Sequence, residues 1–144
     1  MIQRIQTVYL SIAFIIAGVL TNFIPFFVIE ENINMFLVNT LSNDSVLLKS
    51  VGIFTILSAI LSLVAIFSYK KRQNQFVVNR LNVLINFYLL GVLIYLSLTL
   101  PGEMKISEKG ILIYFPIVII VLLVMANKAI KKDEDLVKSV DRLR

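Results

Sequence analysis

Tyr69-Lys70-Lys71-Arg72-Gln73-Asn74-Gln75 is a short basic turn set between two long runs that carry no charge, residues 50–69 and 81–102. A connection this short brings the two runs back against each other as a hairpin. Arg80 adds a further cation on the same side, and the positive-inside bias pins that side to the cytoplasm. The rest of the chain can be oriented from this turn.

Composition fixes the class. Of 144 residues, 58% are hydrophobic and 16% charged, and mean hydropathy is +0.89. The apolar residues fall in four blocks rather than at the periodicity of a soluble fold, which marks an integral membrane protein. The chain has no cysteine and no histidine. Disulfides, thiol nucleophiles, thiolate metal sites and imidazole acid-base chemistry are therefore excluded. The net charge of +5 does not point to nucleic acid, because the cations sit at the ends of apolar spans, where anionic lipid headgroups meet them.

Four spans are expected, at about 6–27, 48–69, 76–100 and 111–130. The first follows Arg4 and is long enough to cross a hydrocarbon core, which takes roughly 20 residues. A cleaved signal peptide shares that outline, but the run exceeds an h-region and no A-x-A-like site closes it, so it is read as a retained anchor. Pro25 should kink or end the helix. Between spans one and two, Phe27-Val28-Ile29 and the run from Ile33 flank the acidic Glu30-Glu31-Asn32 and read as a small extracytoplasmic β-hairpin. A continued helix or an interfacial loop is the alternative.

In the second span Gly52, Thr55, Ser58, Ala59, Ser62 and Ala65 recur at three- and four-residue spacing. Such a strip of small residues lets a neighbouring helix approach closely. The third span opens with Asn79, Arg80, Asn82 and Asn86, and the three asparagines share one helical face. Asn82 and Asn86 are expected to bond to neighbouring helices through Gln3, Gln6 or Asn127. Pro101-Gly102 stops this span, and Met104-Lys105-Ile106-Ser107 in the following loop could add a strand to the hairpin.

The fourth span runs on without Gly or Pro into a cytoplasmic helical tail, residues 131–144. Stepping about 100° per residue places Ala126, Ala129, Ile130, Leu136, Val137, Val140 and Leu143 on one stripe, with Asp133 inside it. The stripe is expected to dock on the ends of the first and third spans, Asp133 pairing with Arg4 or Arg80. The alternative places Asp133 at a solvated groove or as a cap on a neighbouring turn.

Eleven Lys and Arg lie on the side of the N-terminus, the basic turn and the tail: Arg4, Lys70, Lys71, Arg72, Arg80, Lys128, Lys131, Lys132, Lys138, Arg142 and Arg144. Three, Lys49, Lys105 and Lys109, lie opposite. Both termini are therefore expected in the cytoplasm. The fold class is an all-α membrane protein, a four-transmembrane-helix bundle with N-in and C-in topology.

The opening Met1-Ile2-Gln3-Arg4-Ile5-Gln6-Thr7 and the closing Ala126-Asn127-Lys128-Ala129-Ile130-Lys131-Lys132-Asp133-Glu134, followed by Leu136-Val137-Lys138-Ser139 and Asp141-Arg142-Leu143-Arg144, resemble an uncharacterised family of small four-span membrane proteins of Bacteroidetes. The likeness in plan covers the whole chain and implies an inner-membrane location. It implies no catalytic or binding residue.

Chemistry is sparse. The four spans carry no Asp, Glu or His, the usual marks of proton and ion paths. No phosphate-binding loop, nucleophile elbow or metal-ligand cluster occurs, so neither an enzyme nor a cofactor is expected. The favoured function is a structural or interaction subunit, with lipids around it and a membrane-protein partner or a second copy as its contact. The other is a small-molecule or lipid carrier lined by Asn79, Asn82 and Asn86.

Overall fold

A computed structural model describes residues 5–29, 33–99 and 114–142. Helix α1 spans Ile5–Phe23 and is π-helical over Ile15–Leu20. Strands β1 (Phe27–Ile29) and β2 (Ile33–Met35) follow, then the short helix α2 (Leu37–Ser42). Three long helices complete the chain: α3 (Val46–Phe67), α4 (Arg72–Thr99) and α5 (Phe115–Arg142).

The four long helices form a ring in which α1 packs on α3 and α5, and α4 packs on α3 and α5. Their buried positions explain the packing. On α4, Gln75, Asn79, Asn82, Asn86, Leu89, Leu93 and Leu96 are all buried, at alternating spacings of four and three. That is the 3.5-residue seam of a left-handed bundle. Leu48, Val51, Thr55, Ser58, Ser62 and Ala65 repeat it on α3.

On α1 the buried residues are Gln6, Leu10, Ala13, Ala17 and Thr21. The last two steps of four would drift off an α-helical seam at 100° per residue, and the wider π turn brings Thr21 back to the interior. The backbone groups displaced by that turn find side chains: Thr21 Oγ1 donates to the Ala17 carbonyl at 2.7 Å, and Asn22 Nδ2 to the Gly18 carbonyl at 2.6 Å. Gly18 lies here because a Cβ would stand 3.3 Å from Phe14 Cε2 and 3.4 Å from Ala59 Cβ. The small strip of α3 thus receives α1.

Several boundaries differ from expectation. Helix α1 stops at Phe23 rather than near 27, because Pro25 forces the preceding Ile24 into extended backbone, at φ −112° and ψ 126°. The basic turn is tighter than expected, since Ser68–Lys70 continues α3 as a 3-10 turn and α4 already begins at Arg72. Only Lys71 is left between them, and Gln75 N–H donates to its carbonyl at 3.1 Å. Residues 37–42, in the stretch read as a β-hairpin with a continued helix or an interfacial loop as the alternative, form α2. It lies so close to α3 that a Cβ at Gly52 would stand 2.7 Å from both Thr40 Oγ1 and Leu41 Cδ2.

β1 and β2 pair antiparallel, Phe27 opposite Met35 and Ile29 opposite Ile33. Below them, Phe26 is fully buried and meets Phe115 edge-on, ring centroids 5.6 Å apart. This aromatic pair closes the end of the ring remote from the basic turn. Arg4, the 102–110 loop and its Met104-Lys105-Ile106-Ser107 strand candidate lie outside the described residues.

The surface is the reverse of a soluble protein's. Val46, Ile53, Phe67, Leu84, Phe87 and Leu98 are exposed, while Gln6, Gln75, Asn79, Asn82 and Asn86 are buried. Water does not solvate so continuous an apolar belt around a monomer; lipid does. Among the described residues, three helices are long and apolar enough to cross a membrane: Ile5–Phe23, Val46–Lys70 and Arg72–Thr99. Helix α5 is free of charge over 115–127 and strongly charged beyond.

Candidate functional site

The basic half of the bundle interior is a ladder of amides and hydroxyls. Asn82 Nδ2 donates to the Ser58 carbonyl at 3.1 Å and to Ser62 Oγ at 2.9 Å. Asn86 Nδ2 donates to Ser58 Oγ at 2.8 Å and to Asn82 Oδ1 at 3.0 Å. One turn nearer the basic end, Asn79 Nδ2 reaches Asn127 Oδ1 of α5 at 3.2 Å. Gln6 of α1 and Gln75 of α4 then meet across the ring at 3.4 Å. Asn82 and Asn86 do bond to a neighbouring helix, but the expected partners are corrected here: they are Ser58 and Ser62 of α3, not Gln6 or Asn127, and Gln3 lies outside the described residues.

Four buried atoms of this ladder have no partner among the described residues: Gln6 Oε1, Gln75 Nε2, Asn79 Oδ1 and Asn86 Oδ1. An unpaired polar atom in such surroundings costs about 1–3 kcal/mol, so the ladder's basic end is held less tightly than its Asn82 centre. Amides and hydroxyls hold shape and register, and none titrates near neutrality.

The tail base makes a second polar layer. Arg72 Nη1 donates to the Asp133 carbonyl at 3.3 Å, and Arg80 lies with its guanidinium 4.3 Å from the centre of the Phe76 ring. The expected pairing of the Asp133 carboxylate with Arg80 is therefore not made, and Arg4 lies outside the described residues. The only ion pair among the described residues joins Lys138 to Glu134 at 2.8 Å. The Lys138 hydrogen bond, aided by its charge, holds the Glu134 carboxyl below its ordinary range and raises the Lys138 ammonium in return.

The docking expectation holds for the start of the stripe, where Ala126 and Ile130 are buried, and fails beyond that layer. Arg72, the first residue of α4, reaches the Asp133 carbonyl with its side chain, and Val137 still lines a groove with residues 69–74; the turns of α5 beyond it project past the basic turn. Leu136, Val137 and Val140 are 57%, 46% and 61% exposed. With no Gly or Pro to turn it, the helix carries its apolar stripe straight out of the bundle.

Residues 2–143 match a family described as a domain of unknown function, DUF4293. The chain belongs to the DUF4293 family. No curated protein and no solved structure matches it, so the functional reading of this DUF4293 chain rests on its own residues. Asn79, Asn82, Asn86 and Asn127 come together with Gln75 and Ser58, Gln6 facing Gln75, whereas Arg80 and Asp133 stand apart from that ladder. Gln75 was the residue sequence reasoning missed; its place four residues before Asn79 on the same seam was the available signal.

Proposed function

We propose that this DUF4293 protein is a four-span, non-enzymatic subunit of the inner membrane, both termini cytoplasmic, that holds a helical arm out to a membrane-protein partner or a second copy. The observation carrying this reading is the exposed stripe of Leu136, Val137 and Val140 on a helix continuous with the bundle. An apolar stripe left largely exposed among the described residues, on a helix whose remaining faces are charged, suits docking of a partner. Glu134 and Asp135 on the arm disfavour simple adhesion to anionic lipid. Asn79, Asn82 and Asn86 are engaged by neighbouring helices, which favours packing over lining a passage. The fourth crossing is supported by the uncharged residues 111–127, and the orientation by the eleven cations against three.

Two measurements test it. Because the chain has no cysteine, single cysteines report topology cleanly: a membrane-impermeant probe should label Asn43→Cys in intact cells, and Asn74→Cys only after permeabilisation. Labelling of Asn74→Cys from outside would reverse the orientation. For the arm, the parent should elute after mild solubilisation with a stoichiometric partner or as a defined oligomer. Leu136→Glu/Val140→Glu should elute as the single chain with its thermal stability unchanged. An unaltered complex in the double variant would remove the arm from the interface.

A further inference from the structure

Arg80 is the deepest cation on α4: the helix is uncharged from 81 to 99, and α5 is uncharged from 115 to 127. Asn79 meets Asn127 at 3.2 Å, so both helices leave their apolar stretch at the same level, one entering at Arg80 and the other departing just before Lys128. Between them runs a groove of about 470 Å³ lined by Gln73, Phe76, Val77 and Arg80 of α4 with Lys131 and Glu134 of α5. Arg80 is drawn back over Phe76, four residues toward the basic end. That is the direction in which a helical side chain leans and in which an arginine rooted in hydrocarbon reaches for the interface. Neither Arg80 nor Lys131 has an ion-pair partner among the described residues. The single carboxylate at the rim, Glu134, is already held by Lys138, so the groove keeps an excess of positive charge.

On the lipid side of Arg80 the same face of α4 continues through Leu84 and Phe87, both exposed. The site is thus cationic at the headgroup level and apolar immediately beneath, which is the profile of a phospholipid lying along a helix pair. A basic recess between membrane helices on the cytoplasmic side is suited to anionic headgroups. We propose that this groove seats one anionic phospholipid, Arg80 and Lys131 against its phosphate, Gln73 donating to headgroup oxygens, and an acyl chain over Leu84 and Phe87. The proposal rests on the membrane placement above.

The chain contains no tryptophan, so Leu84→Trp supplies a single tryptophan beside the groove, excited selectively over the tyrosines. The full chain carrying it is reconstituted in phosphatidylcholine vesicles and titrated with brominated phosphatidylglycerol or brominated phosphatidylcholine, and the quenching gives their relative affinity. Phosphatidylglycerol should be preferred. Arg80→Gln and Lys131→Gln should each reduce the preference roughly fivefold, as expected for one cation near the surface. Arg80→Lys should retain most of it, and Lys70→Gln, on the basic turn outside this groove, should leave it intact. Equal quenching by both lipids would overturn the site while leaving the membrane placement standing. Equal losses in Lys70→Gln and Arg80→Gln would show diffuse charge instead of a site. Loss of the preference on adding excess glycerol phosphate would assign the groove to a soluble phosphate. Absence of quenching by either lipid would overturn both the site and the placement.

Discussion

Asn82→Leu should destabilise the bundle by about 2 kcal/mol in reversible unfolding from mixed micelles. The side chain donates to the Ser58 carbonyl and Ser62 Oγ and accepts from Asn86. Buried interhelical hydrogen bonds in membrane proteins are worth about 0.6 kcal/mol each on average, and three removed together give that figure. Leucine has nearly the shape of asparagine, so little of the loss would come from volume. Asn79→Leu, with one bond to Asn127 at 3.2 Å, should cost about 0.6 kcal/mol by the same arithmetic. Equal stability of Asn82→Leu and the parent would mean that the ladder is energetically idle and that α3 and α4 are held by close packing alone.

The second large effect is expected at Gly52. In Gly52→Val even the first added carbon meets Thr40 Oγ1 and Leu41 Cδ2 at 2.7 Å. Leu41 can swing aside, but Thr40 is buried and bonded to the Leu37 carbonyl at 2.6 Å, so α2 must lift from α3. Overpacking of this kind costs about 1–3 kcal/mol. Gly91 has nothing within 4 Å of the same position, and Gly91→Val should stay within about 0.5 kcal/mol of the parent. Thermal unfolding of the two variants side by side, with proteolysis at α2 as the local readout, decides it. Matching behaviour would show that α2 does not rest on α3 in the membrane.

The sequence was most informative where physics leaves one solution. The runs flanking residues 69–75 had to return on each other, and Pro25 had to kink or end α1, which it ends. The asparagine face of α4 was legible from spacing alone, as was the small strip of α3. Their union was not, because Ser58 and Ser62 count as small residues in one argument and as hydroxyl partners in the other. Only the antiparallel offset of α3 against α4, set by a turn of one residue, brings them level with Asn82 and Asn86. The tail erred for a different reason. Periodicity shows that an apolar stripe exists, but not how far along it a neighbour extends; α4 begins beside Asp133, so Ala126 and Ile130 are covered while Leu136, Val137 and Val140 are exposed. Helix α2 escaped notice because six residues give too little periodicity to separate a helix from a polar loop.

The division of the α4 seam into an amide half and a leucine half bears on how the ring finds its alignment. Leu89, Leu93 and Leu96 look alike to a facing helix, and sliding them by a heptad would exchange one leucine contact for another at little cost. Lipid offers no penalty against such a slide, since hydrocarbon solvates leucine as well as leucine does. The amides break this degeneracy: Asn82 matches Ser58 and Ser62 at one offset, and Asn79 matches Asn127 at one offset, so a slipped ring would leave several polar groups stranded in hydrocarbon. The apolar half can thus supply adhesion without choosing among alignments, while the polar half chooses one.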